Sequence, residues 1–288
     1  MKEPRHWNIV NLLALTTVTL ATVTTTRGQE VPFSGPDSRV PDSAMRNVVV
    51  IGFVGGFVSR DDAKHPEVQF ADYLRARYPT IHAEVFGNHN GKSTLHQVMR
   101  LLDTDHDGSL TAIEKDRVTM IIYGHSWGAS EAVMLARELG AMGIPVALTI
   151  QIDTIAKPFH KSLTISANVA SAINFYQPKG PLHGRPEIVA ADPTRTKIIG
   201  NFRMTYDDLP INCNNYIWYA RVFNKPHHEI ENDLRVWDGV ASLIDSYLSG
   251  TTTIVETPRP SRSPFFRYLR RGAQADTASI SPPEIAIK

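Results

Sequence analysis

Two rhythms of apolar positions alternate along this chain. Short unbroken runs rich in β-branched residues, "NVVVIGF" (47–53), "VTMIIYGHS" (118–126) and "PVALTIQID" (145–153), predict strands buried on both faces, and "IHAEVF" (81–86) predicts a shorter one. Between them apolar residues return every third or fourth position. Phe70, Ala71, Leu74 and Tyr78 do so in "PEVQFADYLRARYP", and Leu95, Val98, Leu101 and Leu102 in "KSTLHQVMRLL", the spacing of helices with one buried face. "SEAVMLARELGAMG" (130–143) predicts a helix that stops at a glycine, where a left-handed cap costs little. Further on, "ANVASAINFYQ" (167–177) looks helical, while "TKIIGNFRMTYDD" (196–208) and "YIWYARVFN" (216–224) look like strands. "EIENDLRVWDGVASLIDSYL" (229–248) then sets Leu234, Trp237, Ala241, Ile244 and Leu248 on one helical stripe. Strands alternating with helices in this way predict an α/β domain, with a mainly parallel central sheet and helices on both faces.

The pattern fails at both ends, which sets the expected boundaries. Residues 1–28 carry Lys2, Arg5 and His6 ahead of an apolar, Thr-diluted run, the layout of a secretory signal peptide. The competing reading is an uncleaved N-terminal membrane anchor, because the run approaches bilayer length. Export, to a secreted or periplasmic location, is the expectation. Residues 29–44 read as a linker, 45–250 as the folded domain and 251–288 as a disordered tail, with Phe265, Phe266, Tyr268 and Leu269 as its only apolar cluster near a basic patch.

Composition removes several function classes. A formal net charge of +1 gives no electrostatic case for nucleic acid or an anionic membrane surface as partner. Cys213 is the only cysteine, so neither an intramolecular disulfide nor a cysteine-ligated metal cluster can form. Its neighbours "LPINCNNY" supply no activating group, which points to a small apolar filler.

The chemistry concentrates in one stretch. Gly124-His125-Ser126-Trp127-Gly128 follows a buried strand directly and opens directly into a helix, the context that a G-x-S-x-G nucleophile turn requires. Such a turn lifts the Ser126 hydroxyl off the sheet and leaves the Trp127 amide at an open helix end, where it can face a developing oxyanion. The competing reading is a glycine-rich turn whose serine merely caps the helix. A serine nucleophile needs a base, and the base an orienting acid. Asp153 ends the strand after the elbow helix; Asp207 and Asp208 end the next candidate strand and are its rivals. His227 and His228 lie in "NKPHHEIENDLRVW", in an expected loop before the last helix.

The "IGFVGG" loop after the first strand, the elbow, and the order serine, acid, histidine together resemble the α/β-hydrolase superfamily over roughly the middle 200 residues. That resemblance implies an α/β-hydrolase fold with Ser126 as nucleophile, Asp153 as acid, His227 as base, and an oxyanion hole from the amides of Phe53 and Trp127. Ile51 stands where many lipases carry histidine. The implied protein is a lipase- or esterase-like serine hydrolase cleaving a small-molecule or lipid ester, with no organic cofactor. Thioester or amide hydrolysis would use the same groups, and the alternative from another class is a non-catalytic binding module on the same scaffold.

Just upstream, residues 103–114 fit a twelve-position EF-hand-like calcium loop. Asp103, Asp105, Asp107 and the Ser109 carbonyl would ligate, Glu114 would close the site, and Gly108 would permit the turn. The exit helix is too short for a sensor, so one structural Ca²⁺ is expected, pinning the strand that leads to Ser126. A solvated acidic turn is the competing reading.

Overall fold

The computed structural model describes residues 47–158, 163–249 and 264–269. The expected leader and linker lie outside the described residues. In chain order the elements are β1 (Asn47–Val54), α1 (Pro66–Arg77), β2 (His82–Gly87), α2 (Gly91–Leu102), α3 (Ala112–Asp116), β3 (Val118–His125), α4 (Trp127–Ala141), β4 (Val146–Ile152), β5 (Val169–Tyr176), β6 (Lys197–Arg203), α5 (Trp218–Phe223), α6 (Lys225–Asn232) and α7 (Leu234–Ser249). The six strands form one sheet in the order β2-β1-β3-β4-β5-β6. All five neighbouring pairs are parallel. Parallel pairs need crossovers, and the helices that supply them cover both faces of the sheet.

The unbroken apolar runs are explained by that double cover. Successive strand residues point to opposite faces. Val49, Ile51, Phe53, Met120 and Ile122 therefore pack with Val98 and Leu102 of α2 and with Val133 and Leu135 of α4. Val50, Ile121, Tyr123, Leu148 and Ile150 pack instead with Phe70 and Leu74 of α1 and with Trp237, Val240 and Ile244 of α7. β3 and β4 are the two middle strands of the sheet, with β1 beside β3, and the carboxyl end of β3, where ligands of open α/β sheets bind, leads into the elbow.

Three segments differ from the sequence expectation. "ANVASAINFYQ" contains strand β5 rather than a helix, and its Val169, Ile173 and Phe175 are wholly buried. Its alanines suggested a helix, but a position between β4 and β6 decides the conformation. "YIWYARVFN" contains helix α5, with no buried residue, where its aromatics suggested a strand. The single expected terminal helix is two, broken at Asp233. The Asp233 carboxylate accepts from the Arg235 amide at 2.9 Å and pairs with the Arg235 guanidinium at 2.6 Å. In the C-terminal stretch, residues 264–269 are helical, and Phe265 is fully buried with its ring 5.4 Å from that of Phe70. Among the described residues no helix is long and apolar enough to cross a membrane.

Candidate active site

β3 ends at His125 and α4 begins at Trp127, so Ser126 alone makes the turn, at φ 58° and ψ −124°. A non-glycine residue held there stores on the order of 1–3 kcal/mol of strain, which its surroundings must offset. The Ser126 amide donates to the Ile152 carbonyl at 2.9 Å, and the Ser126 carbonyl accepts from the Ile155 amide at 3.3 Å. The flanking glycines make the turn sterically accessible. A Cβ on Gly124 would lie 2.5 Å from the Gly128 backbone, and one on Gly128 would lie 2.4 Å from the Phe53 carbonyl oxygen. Because backbone stands in the way, Gly128→Ala is expected to cost about 2 kcal/mol or more. Thermal unfolding checks this, and an unchanged midpoint would contradict the packing.

The structure brings three distant residues into one line of hydrogen bonds. The Nε2 of His227 lies 2.9 Å from the Ser126 hydroxyl, and its Nδ1 lies 2.7 Å from Oδ2 of Asp153. All three are buried, Asp153 completely. Asp153 follows β4 at φ 45°, which turns its carboxylate towards α6. Its Oδ1 accepts from the amides of Gln177 at 3.1 Å and Gly184 at 2.7 Å, and its Oδ2 from the Gln177 side-chain amide at 2.9 Å. These donors fix the orientation of the carboxylate. Gln177 and Gly184 were not singled out in the sequence. The available signal was the position of Gln177, directly after the strand next to β4.

The rival residues lie elsewhere. Asp207 is exposed and pairs with Lys179 at the surface, and Asp208 is exposed. His228 turns away from Ser126 and stacks on Tyr216, with ring centroids 3.7 Å apart; burial, then the neighbouring His227, pulls its pKa down to about 4. His227 sits in the first turn of α6 rather than in a loop. Helix α6 leaves the His227 carbonyl within reach of Nε2 of His125, at 3.2 Å. A carbonyl only accepts, so that ring nitrogen carries the proton and donates. Burial first, then the neighbouring histidines, hold the His125 pKa well below the usual histidine value.

Of the two expected oxyanion amides, that of Trp127 opens α4, where the first-turn amides have no helical partner. Phe53 lies one residue inside β1, in register with Phe86 and with Gly124. The strand runs on to Val54, so the loop starts at Gly55, where a Cβ would be 3.1 Å from that of Ser126. A cleft of about 780 Å³ adjoins the elbow through Trp127 and is lined also by Phe57, His89, Met134 and Pro158.

In the 103–114 loop, Asp103, Asp105 and Glu114 bring carboxylate oxygens within 4.8 Å of one another, and the Asp107 carboxylate is not part of that group. The Asp103 carboxylate accepts from the amides of Asp107 and Gly108, at 3.1 and 3.0 Å, and Asp107 accepts from the Ser109 amide at 2.7 Å. Glu114 accepts the amides of Thr104 and Thr111 at 2.7 and 2.9 Å, which pull its pKa down to about 2, and it forms a capping box with Thr111 at the start of α3. The turn is therefore held largely by its own amides, while three of its four expected carboxylates converge.

No protein-family model matches the chain, and no match to a curated protein was found. Solved structures with similarity include a cutinase-like protein from Cryptococcus sp., at 15% identity and TM-score 0.28, covering 43% of this chain and 62% of that one. An acetyl xylan esterase is similar at 10% identity and TM-score 0.36, covering 69% of this chain and 98% of that one. A hydrolase described as of the alpha/beta superfamily, from Xanthomonas campestris pv. campestris, is similar at 13% identity and TM-score 0.32, covering 70% of this chain and 99% of that one. The chain thus spans less than two thirds of the cutinase-like protein's length, and at these identities the likenesses concern the fold type alone.

Proposed function

We propose that the protein is a serine hydrolase of carboxylic esters. The observation that carries this reading is the unbroken line from Ser126 Oγ through both nitrogens of His227 to Asp153. An ionised Asp153 accepts from Nδ1–H, which leaves the lone pair of Nε2 for the Ser126 hydroxyl. His227 takes the hydroxyl proton as Ser126 attacks the ester carbonyl, and returns it to the leaving alcohol. Water then repeats the sequence on the acyl-enzyme. The Trp127 amide, joined by an amide of the loop that begins at Gly55, stabilises the oxyanion.

Two surfaces support an apolar acyl group or a lipid ester. The cleft beside Trp127 carries Phe57, which is 91% exposed. Helix α5, next before the helix of His227, exposes Trp218, Tyr219, Val222 and Phe223. The test is a series of p-nitrophenyl esters of rising chain length. The reading predicts turnover with kcat/KM rising from acetyl to longer chains; no turnover of any member by folded protein would contradict it.

We also propose that one Ca²⁺ binds the 103–114 loop, with Asp103, Asp105 and Glu114 as first donors, and steadies the approach to β3. Hard oxygen donors suit that ion. Added Ca²⁺ is then expected to raise the unfolding midpoint of the wild type but not of Asp103→Asn, and an equal response of the two would contradict the proposal.

A further inference from the structure

Beneath the proposed triad lies a second group of titratable side chains that ester hydrolysis does not use. His65 caps the N-terminus of α1, Glu67 follows in its first turn, His125 ends β3, and Glu231 lies four residues beyond His227 on α6. All four are buried, at 3% relative exposure or less. His65, Glu67 and Glu231 each offer a ligand atom within 4.8 Å of the others. His125 Nδ1 stands 3.6 Å from Oε1 of Glu67 and 3.7 Å from Oε2 of Glu231.

The polar accounting of this cluster does not close on its own. Neither oxygen of Glu67 receives a hydrogen bond from a nitrogen or hydroxyl donor among the described residues, and His125 Nδ1 has no partner either. With the proton of His125 committed to the His227 carbonyl through Nε2, its Nδ1 turns a lone pair towards two carboxylate oxygens. Acceptors facing one another in a dry interior repel unless something positive lies between them.

We propose that His65, Glu67, His125 and Glu231 form a metal site for a divalent transition ion of the Zn²⁺ class. Two carboxylates and two neutral imidazoles cancel the charge of such an ion. Mixed nitrogen and oxygen donors suit zinc and disfavour calcium. Zinc–ligand bonds of about 2.0–2.2 Å place tetrahedral ligands roughly 3.4 Å apart, close to the separations of His125 Nδ1 from both carboxylates. One contact must open. His65 Nδ1 and Glu231 Oε1 stand 2.6 Å apart in a hydrogen bond, and the proton between them leaves as the ion enters, as is general for metal sites. Tyr216 donates to Glu231 and holds it in place from the other side. The ion would tie the start of α1, the end of β3 and α6 together immediately below Ser126 and His227. It is a clamp on the elbow and on the helix of the base, not a reactant.

The test counts metal in the full chain without reference to activity. Zinc in the purified protein is first counted by mass spectrometry, and the metal is then stripped with EDTA. Metal-free protein is then titrated with Co²⁺ and read by its visible absorption. The proposal predicts about one zinc per chain and the intense bands of a four-coordinate cobalt site, with affinity at least about tenfold lower in Glu67→Gln and Glu231→Gln and unchanged in Asp103→Asn. Folded wild type with less than about 0.1 zinc per chain and no cobalt bands would overturn it. Binding lost in Asp103→Asn and kept in the Glu variants would overturn it too. If the Glu variants do not fold, the wild-type stoichiometry and spectrum decide.

Discussion

Replacing Ser126 with alanine is expected to lower ester hydrolysis by about 10⁵-fold while leaving the fold intact. The hydroxyl is the only group in the line of hydrogen bonds that can form a bond to carbon without disturbing the other two. Its loss removes the acyl-enzyme route but not the oxyanion donors, so a small residual rate over water should survive. The mutation also removes one acceptor-donor pair at a site only 7% exposed, a modest cost in stability. The unfolding midpoint should therefore move by only a few degrees, and kcat should fall with little change in KM. A variant that keeps more than about a tenth of wild-type activity would show that Ser126 is a cap on α4 and not a nucleophile.

Asp153→Asn is expected to lower kcat by about 10⁴-fold, and the reason is specific to this pocket. The amides of Gln177 and Gly184 both require an acceptor where Oδ1 now lies. They would hold the asparagine with its carbonyl oxygen towards themselves and its NH₂ towards His227 and the Gln177 side-chain amide, which loses its acceptor there. A donor there selects the imidazole tautomer with the proton on Nε2, which cannot accept from Ser126. The backbone at φ 45° suits asparagine as well as aspartate, so the protein should fold. Single-turnover kinetics and a melting curve on the same sample separate the two effects. Near-normal kcat in a folded Asp153→Asn would give the role of the acid to another residue. Asp207 is a poor substitute, since it lies at the surface with Lys179.

How much of this was legible in the sequence depended on whether local pattern or long-range packing set each element. β1, β3 and β4 were plain as unbroken apolar runs because both faces of a central parallel strand are buried. The elbow was plain for a related reason: its strand, glycines and helix are contiguous, so the whole device is local. β5 was not plain, since its alanines and asparagine carry little strand preference and pairing between β4 and β6 determines it. α5 failed in the opposite direction, with aromatic residues that suggested a strand but lie exposed on a short helix. His227 was identified by its place in the chain order, yet its setting was misjudged. Pro226 at the start of α6 begins a helix where a loop was expected.

The supports of the site were the least visible part. The oxyanion expectation placed Phe53 by resemblance, and β1 runs one residue beyond it, to Val54. Gln177 reaches Asp153 from the end of a segment read as helix, and Gly184 from the chain beyond it. His65, Glu67, His125 and Glu231 come from three elements, and His65 and Glu231 are separated by 166 positions, so no spacing rule could have joined them. Phe265 fills the core beside Phe70 from a stretch read as a disordered tail with one apolar cluster.

The central claim is that Ser126 is an activated nucleophile, and its most direct test is covalent capture. Wild type, Ser126→Ala and His227→Gln would each be treated with a fluorophosphonate, their intact masses measured and the modified peptide sequenced. The account predicts one adduct per chain on Ser126 in the wild type, none in Ser126→Ala, and labelling slowed by at least about 10³-fold in His227→Gln, because the hydroxyl has lost its base. Folded wild type that takes up no probe, or an adduct on any other residue, would contradict it.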